Sequence, residues 1–478
     1  MKDNRRDFLK KTGLTGIGLF GGLFGTACSR ESREENGPYR LTHSQQFNMH
    51  GYAAPALETV RVGVTGLGNR GSGTVQRFAS IEGVEIRALN DLEPDRVERA
   101  AASIAHHAVT PDHYHRDEND WKRMCERDDI DLIAIATPWH LHVPQAVYAM
   151  ENGKHVYVEL PAANTVEECW QLVETSERTR KHCIQMSASC HYGISAVVLN
   201  MVRDGLFGEI IHGEGGYIHD LLHTHIFTPD TYHDLWRLKE NIDRDGNLYP
   251  QHGLVPVMQM MDINYGDQMD HMVAMSTNDF MMNEKAKEMA AGDGMWEQFV
   301  DRNYRGNLNT TLIRTHRGRT MMIQHDVTTP RPGIRFDLIS GTKGTFKARP
   351  GRIGFSYYDG WISDEEYQEL EEKYKPEITK IFEELVRQAE ETRQRPTRGY
   401  ARVNAMDWRL IDCLHNGLPV ESDVYDAAIS SVVTPLSEWS VANGSAPAKV
   451  PDFTGGSWKT NERGMDLNIR RGGTTRII

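Results

Sequence analysis

Residues 60–78, VRVGVTGLGNRGSGTVQRF, constrain the fold of this chain more than any other stretch. An alternating valine run meets a turn bearing Gly66, Gly68 and Gly71, and a helix-compatible segment follows. Such glycines permit a tight turn, close approach of the backbone to a pyrophosphate, and tight packing of helix on strand, with the helix N-terminus facing the phosphates. The glycine pattern alone is a weak signal, so its context carries the reading. VEIRALND follows as a second strand ending at Asp91, about twenty residues beyond the last glycine, where an acid suits the ribose hydroxyls of adenosine and repels a 2'-phosphate. The cofactor read from this pattern is NAD. DIDLIAIATPWHLHVPQAVYAMENGKHVYVELP, residues 129–161, then repeats strand, loop, helix and strand. That alternation predicts an α/β fold opening with a doubly wound parallel sheet of Rossmann type.

The segment before this unit reads differently. Arg5 and Arg6 precede an uncharged Gly- and Leu-rich run from Thr12 to Ala27, shorter than the roughly 20 apolar residues a spanning helix needs. Residues 1–28 therefore read as a twin-arginine export signal, with an uncleaved anchor as the alternative. GTAC also leaves Cys28 open to lipidation. The expected location is periplasmic, or anchored on the outer side of the membrane. A polar linker fills 29–58, leaving about 420 residues, enough for two cored domains. The division read from the sequence is an NAD-binding domain over 59–183, a substrate domain over 184–445 and a tail over 446–478. In the second domain, RTMMIQHDVTT and IRFDLISGTKGTF predict an open, mainly antiparallel sheet.

Composition excludes some functions. A net charge of -13 without a basic patch argues against nucleic acid. Besides Cys28 the cysteines are Cys125, Cys169, Cys183, Cys190 and Cys413, scattered and without a CxxC pair, so no disulfide framework is expected. His219, His223 and His225 in HDLLHTH have spacings that metal ligands use. No accompanying signature such as HExxH supports a metal, and these histidines read instead as lining a sugar pocket. The stretch 363–396 is charged, with Ile378, Ile381, Phe382 and Leu385 at helical spacing, and predicts a surface helix with Pro376 marking a break before it.

TPWHLHVPQAVYAMENGKHVYVELPAANTVEECWQLV resembles the Gfo/Idh/MocA oxidoreductases. GEIIHGEGGYIHDL, WRLKENIDRDGNLYPQHGLVPVMQMMDINYGDQMD, TTLIRTHRGRTMMIQHDVTTPRP, LISGTKGT and MDWRLIDCLHNGLPVESDVYDAA narrow the resemblance to glycoside hydrolase family 109, the α-N-acetylgalactosaminidase-like branch. The resemblance implies a hydrolysis in which bound NAD oxidises the sugar at C3, the ketone acidifies the C2 proton, elimination expels the C1 substituent, water adds, and the hydride returns. A protein that returns its hydride needs no external recycling pool, which reconciles a cofactor site with an export signal. Implied NAD contacts are Asn69, Arg70, Asp91, Trp139, His142 and Glu159, with the glycine loop, Ser189 and Tyr249. Implied sugar-facing residues are Tyr192, Tyr249 and His252, with Gly333 standing at a further substrate position. His252 and Tyr249 are the candidate proton-transfer groups, with Tyr192 beside them. By analogy, the open sheet face implies a homo-oligomer.

Departures from the family pattern bear on specificity. Leu160 replaces the lysine of Glu-Lys-Pro, Ser189 an asparagine, Leu222 an arginine, Gly333 a tyrosine and Val403 a histidine. Cofactor positions survive better than sugar positions. Three functions follow: an NAD-retaining glycosidase, a sugar oxidoreductase forming 3-keto products, and a carbohydrate-binding protein with a retained cofactor site.

Overall fold

The computed structural model describes residues 39–187, 193–356, 359–392 and 404–478. The signal, Cys28, Ser189, Cys190, Tyr192 and Val403 lie outside the described residues.

The first layer system contains β1 (Val60–Thr65), α1 (Gly71–Ala79), β2 (Val84–Asn90), α2 (Pro94–Ser103), β3 (Asp112–Tyr114), α3 (Asp120–Cys125), β4 (Leu132–Ile135), α4 (His142–Glu151), β5 (His155–Val158), α5 (Val166–Thr179) and β6 (Cys183–Gln185). The strands form one sheet in the order β3-β2-β1-β4-β5-β6, and every pairing is parallel. Helices cover both faces of such a sheet, so its central strands are apolar without alternation. LIAI of β4 and HVYV of β5 are buried at every position. Strand order reverses between β1 and β4, and the crevice at their carboxyl ends is where ligands of this fold sit. The predicted doubly wound sheet is present.

The second system adds α6 (Gly193–Arg203), β7 (Ile210–Ile218), α7 (Gln251–Met260), β8 (Met269–Ser276), α8 (Met282–Ala290), β9 (Leu308–Thr315), β10 (Thr320–Asp326), β11 (Ile334–Gly341), β12 (Gly344–Ala348) and β13 (Gly351–Phe355). It continues through α9 (Asp364–Tyr374), α10 (Glu377–Thr392), α11 (Ala405–Asn416), α12 (Val424–Ser431), α13 (Val433–Ala442) and β14 (Ala448–Lys449). The eight strands run β13-β12-β11-β7-β10-β9-β8-β14. β7 and β10 pair in parallel, and the other neighbours are antiparallel. That is the mainly antiparallel open sheet expected.

Helix α7 lies on β7 at backbone contact. A Cβ on Gly253 would fall 2.0 Å from the Gly216 nitrogen, and one on Gly215 2.6 Å from the Gly253 carbonyl oxygen. Only glycines at this crossing let helix and strand approach so closely. The consequence is positional: Tyr249 and His252, at the start of α7, are fixed against β7.

The charged stretch forms two helices, α9 and α10, with the break at Lys375 and Pro376. Ser363 and Glu366 make a capping box at the start of α9. Ile378 is fully buried, while Ile381, Phe382 and Leu385 pack partly buried against the main core.

Sequence order and layers do not coincide. Helix α11, late in the chain, packs on α1 and β1 of the first sheet. Its Asp407 accepts Arg77 Nε at 2.5 Å and the Tyr157 hydroxyl at 2.6 Å. The tail also returns: Ile477 bridges to Ile81, and the Ile478 N–H donates to the Ser80 carbonyl at 2.9 Å. At the other end, Thr42 bridges to Asp452, and His43 Nε2 lies 3.0 Å from Glu177 Oε1 on α5. Gly37–Ile478 forms a single compact unit.

Candidate functional site

The glycine loop joins β1 to α1. Gly66 adopts φ +81°, and a Cβ there would lie 2.6 Å from Ala136 and Thr137 backbone atoms. A Cβ on Gly71 would fall 1.7 Å from the Gly66 carbonyl oxygen. Gly68 differs, because its nearest neighbour would be the Arg96 side chain at 3.5 Å, leaving backbone open to a phosphate. Asp91 ends β2, and its carboxylate accepts the Leu67 N–H at 2.6 Å and the Glu93 N–H at 3.0 Å. It therefore shapes the loop as well as facing the crevice. A cavity of about 710 Å³ follows, lined by Gly66, Gly68, Asn69, Arg70, Asp91 and Thr137 among others. These features fit a dinucleotide: an open backbone at a helix N-terminus, an acid at the ribose position and an elongated crevice.

Asp91→Ala removes two hydrogen bonds to a charged acceptor, each worth about 1.5–3 kcal/mol. Dinucleotide occupancy of the purified protein is expected to fall at least about tenfold, a change worth about 1.4 kcal/mol. Quantifying the nucleotide released on denaturation checks this, and unchanged occupancy would rule out the ribose assignment.

A second cavity of about 200 Å³ adjoins the first and shares Asn69, Arg70, Ala136, Thr137, Tyr232 and Trp236 with it. It brings together Trp139, His142, Glu159, Tyr249 and His252 from the predicted set, along with His219 and His225. Trp139 and Tyr249 stack at 5.6 Å with an interplanar angle of 16°. Glu159 accepts Arg70 Nε at 2.8 Å and the Leu160 N–H at 3.0 Å. Leu160 is itself buried in this wall.

His142 is used differently from a side chain that contacts cofactor through its ring nitrogens. Nδ1 lies 2.7 Å from the Pro161 carbonyl oxygen and Nε2 2.8 Å from that of Thr137. Both nitrogens face backbone, so His142 pins the two loops that carry Trp139 and Glu159.

Gly333 does not line either cavity. A Cβ there would meet only the Ile218 carbonyl oxygen, at 3.5 Å. Leu222 is buried in the apolar cluster behind the site, whereas its neighbour Leu221 reaches the cavity. Among the described residues no cluster of His, Cys, Asp and Glu is arranged to hold a metal ion.

Four residues missed in the sequence complete the site. Tyr217 stacks on His252 at 5.0 Å and 19°. Arg237 is buried, with its guanidinium 4.9 Å from the Tyr249 ring and 5.4 Å from that of Trp139. Tyr232 and Trp236 close the side nearest the cofactor crevice. Tyr217 and His219 sit two apart at the end of β7, a spacing that places both on one face of a strand. That local signal was readable. Arg237 had none, since nothing in the short helix Trp236–Lys239 marks it as meeting the rings of Trp139 and Tyr249.

Electrostatics set the protonation states. Burial, followed by the positive charges of Arg335, Arg70, Arg237 and His219, pushes the His252 imidazole well below its ordinary range. Its position in the first turn of α7 acts the same way, because a helix N-terminus disfavours a cation. His219 and His225 are also lowered, first by burial and then by nearby arginines. Burial and the Glu159 charge push the Tyr249 phenol up. At neutral pH the site presents a neutral imidazole beside a protonated phenol, an arrangement that can accept one proton and hold another.

Residues 60–186 match the model of the oxidoreductase family with an NAD-binding Rossmann fold, and residues 194–460 match that of the glycosyl hydrolase 109 C-terminal domain. A glycosyl hydrolase family 109 protein of Solibacter usitatus is 41% identical over 96% of this chain and 99% of its own. An alpha-N-acetylgalactosaminidase of Bacteroides fragilis is 42% identical over 87% of this chain and 96% of its own. Among solved structures, levoglucosan dehydrogenase in complex with NADH and L-sorbose superposes with a TM-score of 0.59 at 17% identity, covering 83% of this chain and all of that one. The WlbA dehydrogenase of Bordetella pertussis, in complex with NADH and UDP-GlcNAcA, does so with a TM-score of 0.57 at 16% identity, over 84% of this chain. These two show the shared fold. The first domain is an NAD-binding Rossmann domain, and the resemblance read in the sequence is borne out: the chain belongs to glycosyl hydrolase family 109.

Proposed function

We propose that the protein is a glycosidase that keeps NAD bound through an oxidation, elimination, hydration and reduction cycle, acting on an N-acetylgalactosaminide or a related glycoside. The observation that carries this reading is the meeting of Tyr249 and His252 in a sugar-sized cavity that adjoins the dinucleotide crevice. Bound NAD supplies a hydride acceptor that gives the hydride back within the turnover. The neutral His252 imidazole takes the proton of the sugar hydroxyl at the carbon being oxidised. Tyr249 keeps its proton and donates a hydrogen bond to a sugar oxygen, with its ring held between Trp139 and Tyr217. Arg70 holds the Glu159 carboxylate, fixing the cavity wall beside the cofactor crevice. Leu160 leaves that wall without the ammonium group an ordinary dehydrogenase of this type would place there, which weighs against net oxidation.

We further propose export by the twin-arginine route with the cofactor already bound, and leave Cys28 as the position of a lipid anchor. A hydrolase that regenerates its own cofactor is independent of any cytoplasmic pool, which supports that route. The open sheet face, where Leu312 and Met275 are exposed, supports a homo-oligomer by analogy.

Protein purified without added cofactor is expected to release NAD on denaturation. It should also cleave a nitrophenyl glycoside from a panel of N-acetylhexosaminides and hexosides of both anomers, with no net NADH absorbance. NADH rising in step with product would establish the oxidoreductase instead, and an empty protein would sink the retained-cofactor reading.

A further inference from the structure

Part of the lining of the dinucleotide crevice comes from the second sheet system. Thr231, Tyr232, His233 and Trp236, which follow β7 in the chain, line it together with the glycine loop. Thr231 also lines a cavity of about 590 Å³ bordered by residues of α1 and α2 and by Gly68 and Asn69 of the loop. Tyr232 lines the sugar cavity. Asn69 borders all three openings. One short segment therefore stands where cofactor crevice, sugar cavity and a third opening meet beside the loop that suits the phosphates.

The segment is firm at its ends and loose between them. Ile226 and Phe227 before it, and Leu235 and Leu238 after it, are buried in the apolar cluster behind the site. No residue from 228 to 234 is buried. The span is shaped by the Thr231 N–H donating to the Thr228 carbonyl at 3.3 Å and the Leu235 N–H to the Tyr232 carbonyl at 3.0 Å. With so few buried contacts between fixed ends, a span can open locally while the rest stays folded. Asp234 and Leu235 are both left-handed, each with φ +51°. That region suits glycine and disfavours leucine, and the seated Leu235 side chain holds the backbone there. From the span, His233 Nδ1 reaches within 3.3 Å of Glu93 Oε1 in the first system. Glu93 follows Asp91 by two residues and donates its N–H to that carboxylate at 3.0 Å.

We propose that residues 228–234 are a strap that holds the dinucleotide in its crevice: the Tyr232 ring closes the junction with the sugar cavity, His233 fastens on Glu93, and Asp234 with Leu235 forms the hinge on which the strap lifts. The inference rests on the retained-cofactor reading above and assigns retention to named residues. Hinge positions are those that absorb a change of φ and ψ when a cover moves. Tyr232 is then a positioning residue for the cofactor. A net dehydrogenase must release its dinucleotide at every turnover, so a cover over the crevice would slow it. A hydrolase that takes its hydride back is not slowed by one.

The test is the rate at which bound cofactor exchanges. Protein carrying NAD is mixed with an excess of isotopically labelled NAD, and the labelled fraction of the dinucleotide that stays with the protein is followed by mass spectrometry. Protein that comes without dinucleotide is loaded with labelled NAD and chased with unlabelled NAD instead. The intact protein is expected to exchange over many minutes. Tyr232→Ala should exchange at least about tenfold faster, and Tyr232→Phe, which keeps the ring, within about twofold of the intact protein. His233→Glu sets two carboxylates together and should speed exchange about two- to fivefold, the size of an exposed pair. Adding Glu93→Arg to it should restore the original rate, a rescue that a merely structural role would not show. Melting temperatures confirm that each variant is folded. Exchange complete within the mixing time of the intact protein, or a rate unchanged in Tyr232→Ala, overturns the strap. A faster rate in His233→Glu that Glu93→Arg does not reverse overturns the fastening at Glu93. Rapid exchange alongside cleavage of a glycoside without net NADH overturns the strap and leaves the glycosidase, whereas net NADH with slow, Tyr232-dependent exchange overturns the glycosidase and leaves the strap.

Discussion

His252→Ala is expected to lower kcat by about a hundred- to ten-thousandfold, the contribution a positioned general base makes, while the protein keeps its dinucleotide. The imidazole is set by backbone rather than by a flexible loop, since the glycine crossing of α7 on β7 fixes the helix start from which it projects. Its environment excludes the protonated form: burial leads, and three arginines and His219 follow. A base that is neutral at working pH needs no deprotonation before it acts. The acidic limb of the kcat/KM profile is therefore expected below the ordinary imidazole pKa of about 6.5. Tyr249→Phe is the companion variant, because it keeps the ring stacked on Trp139 and deletes only the hydroxyl. Single-turnover rates on the identified substrate decide the matter, and full turnover by both variants would remove His252 and Tyr249 from the chemistry.

Asp407→Ala is expected to destabilise the fold by about 3–5 kcal/mol, as loss of one partner from a buried ion pair does. Asp407 has no exposed surface, and its two oxygens are divided between Arg77 Nε and the Tyr157 hydroxyl. The alanine strands a guanidinium whose side chain is 13% exposed and a fully buried phenol on β5 of the first sheet. Asp407→Asn keeps the shape and one acceptor and should cost less. The urea midpoint of unfolding reports both, and a shift equal in the two variants would mean that charge is not what Asp407 contributes.

What could be read from the sequence was local. The glycine spacing, the acid ending β2 and the apolar runs of β4 and β5 each lie within a few residues, and together they fix a parallel sheet and its crevice. The alternating and apolar runs over β10 to β12 likewise carried the second sheet. Tyr249 and His252 were found through resemblance, and nothing in YPQH alone shows that Pro250 stands at a helix start. His142 was read as a cofactor contact through the same resemblance, and in the structure two backbone carbonyls face its ring nitrogens. Arg237 escaped notice because a charged residue acquires meaning only when folding removes water and opposite charges from around it. The return of α11 to the first sheet was invisible for a similar reason. Asp407 looks like any helical acid until Arg77, from far earlier in the chain, is placed against it.

The two ends of the described chain also bear on how long the cofactor stays. Thr42 is bridged to Asp452, and Ile477 to Ile81, so both ends of the described chain are tied back onto the body of the fold. In enzymes whose domains swing on a hinge, ligand exchange keeps pace with that swing. Here any movement that parted Thr42 from Asp452 or Ile81 from Ile477 would have to break those bridges as well. Dilution is then expected to empty the site more slowly than in a variant shortened by its last three residues.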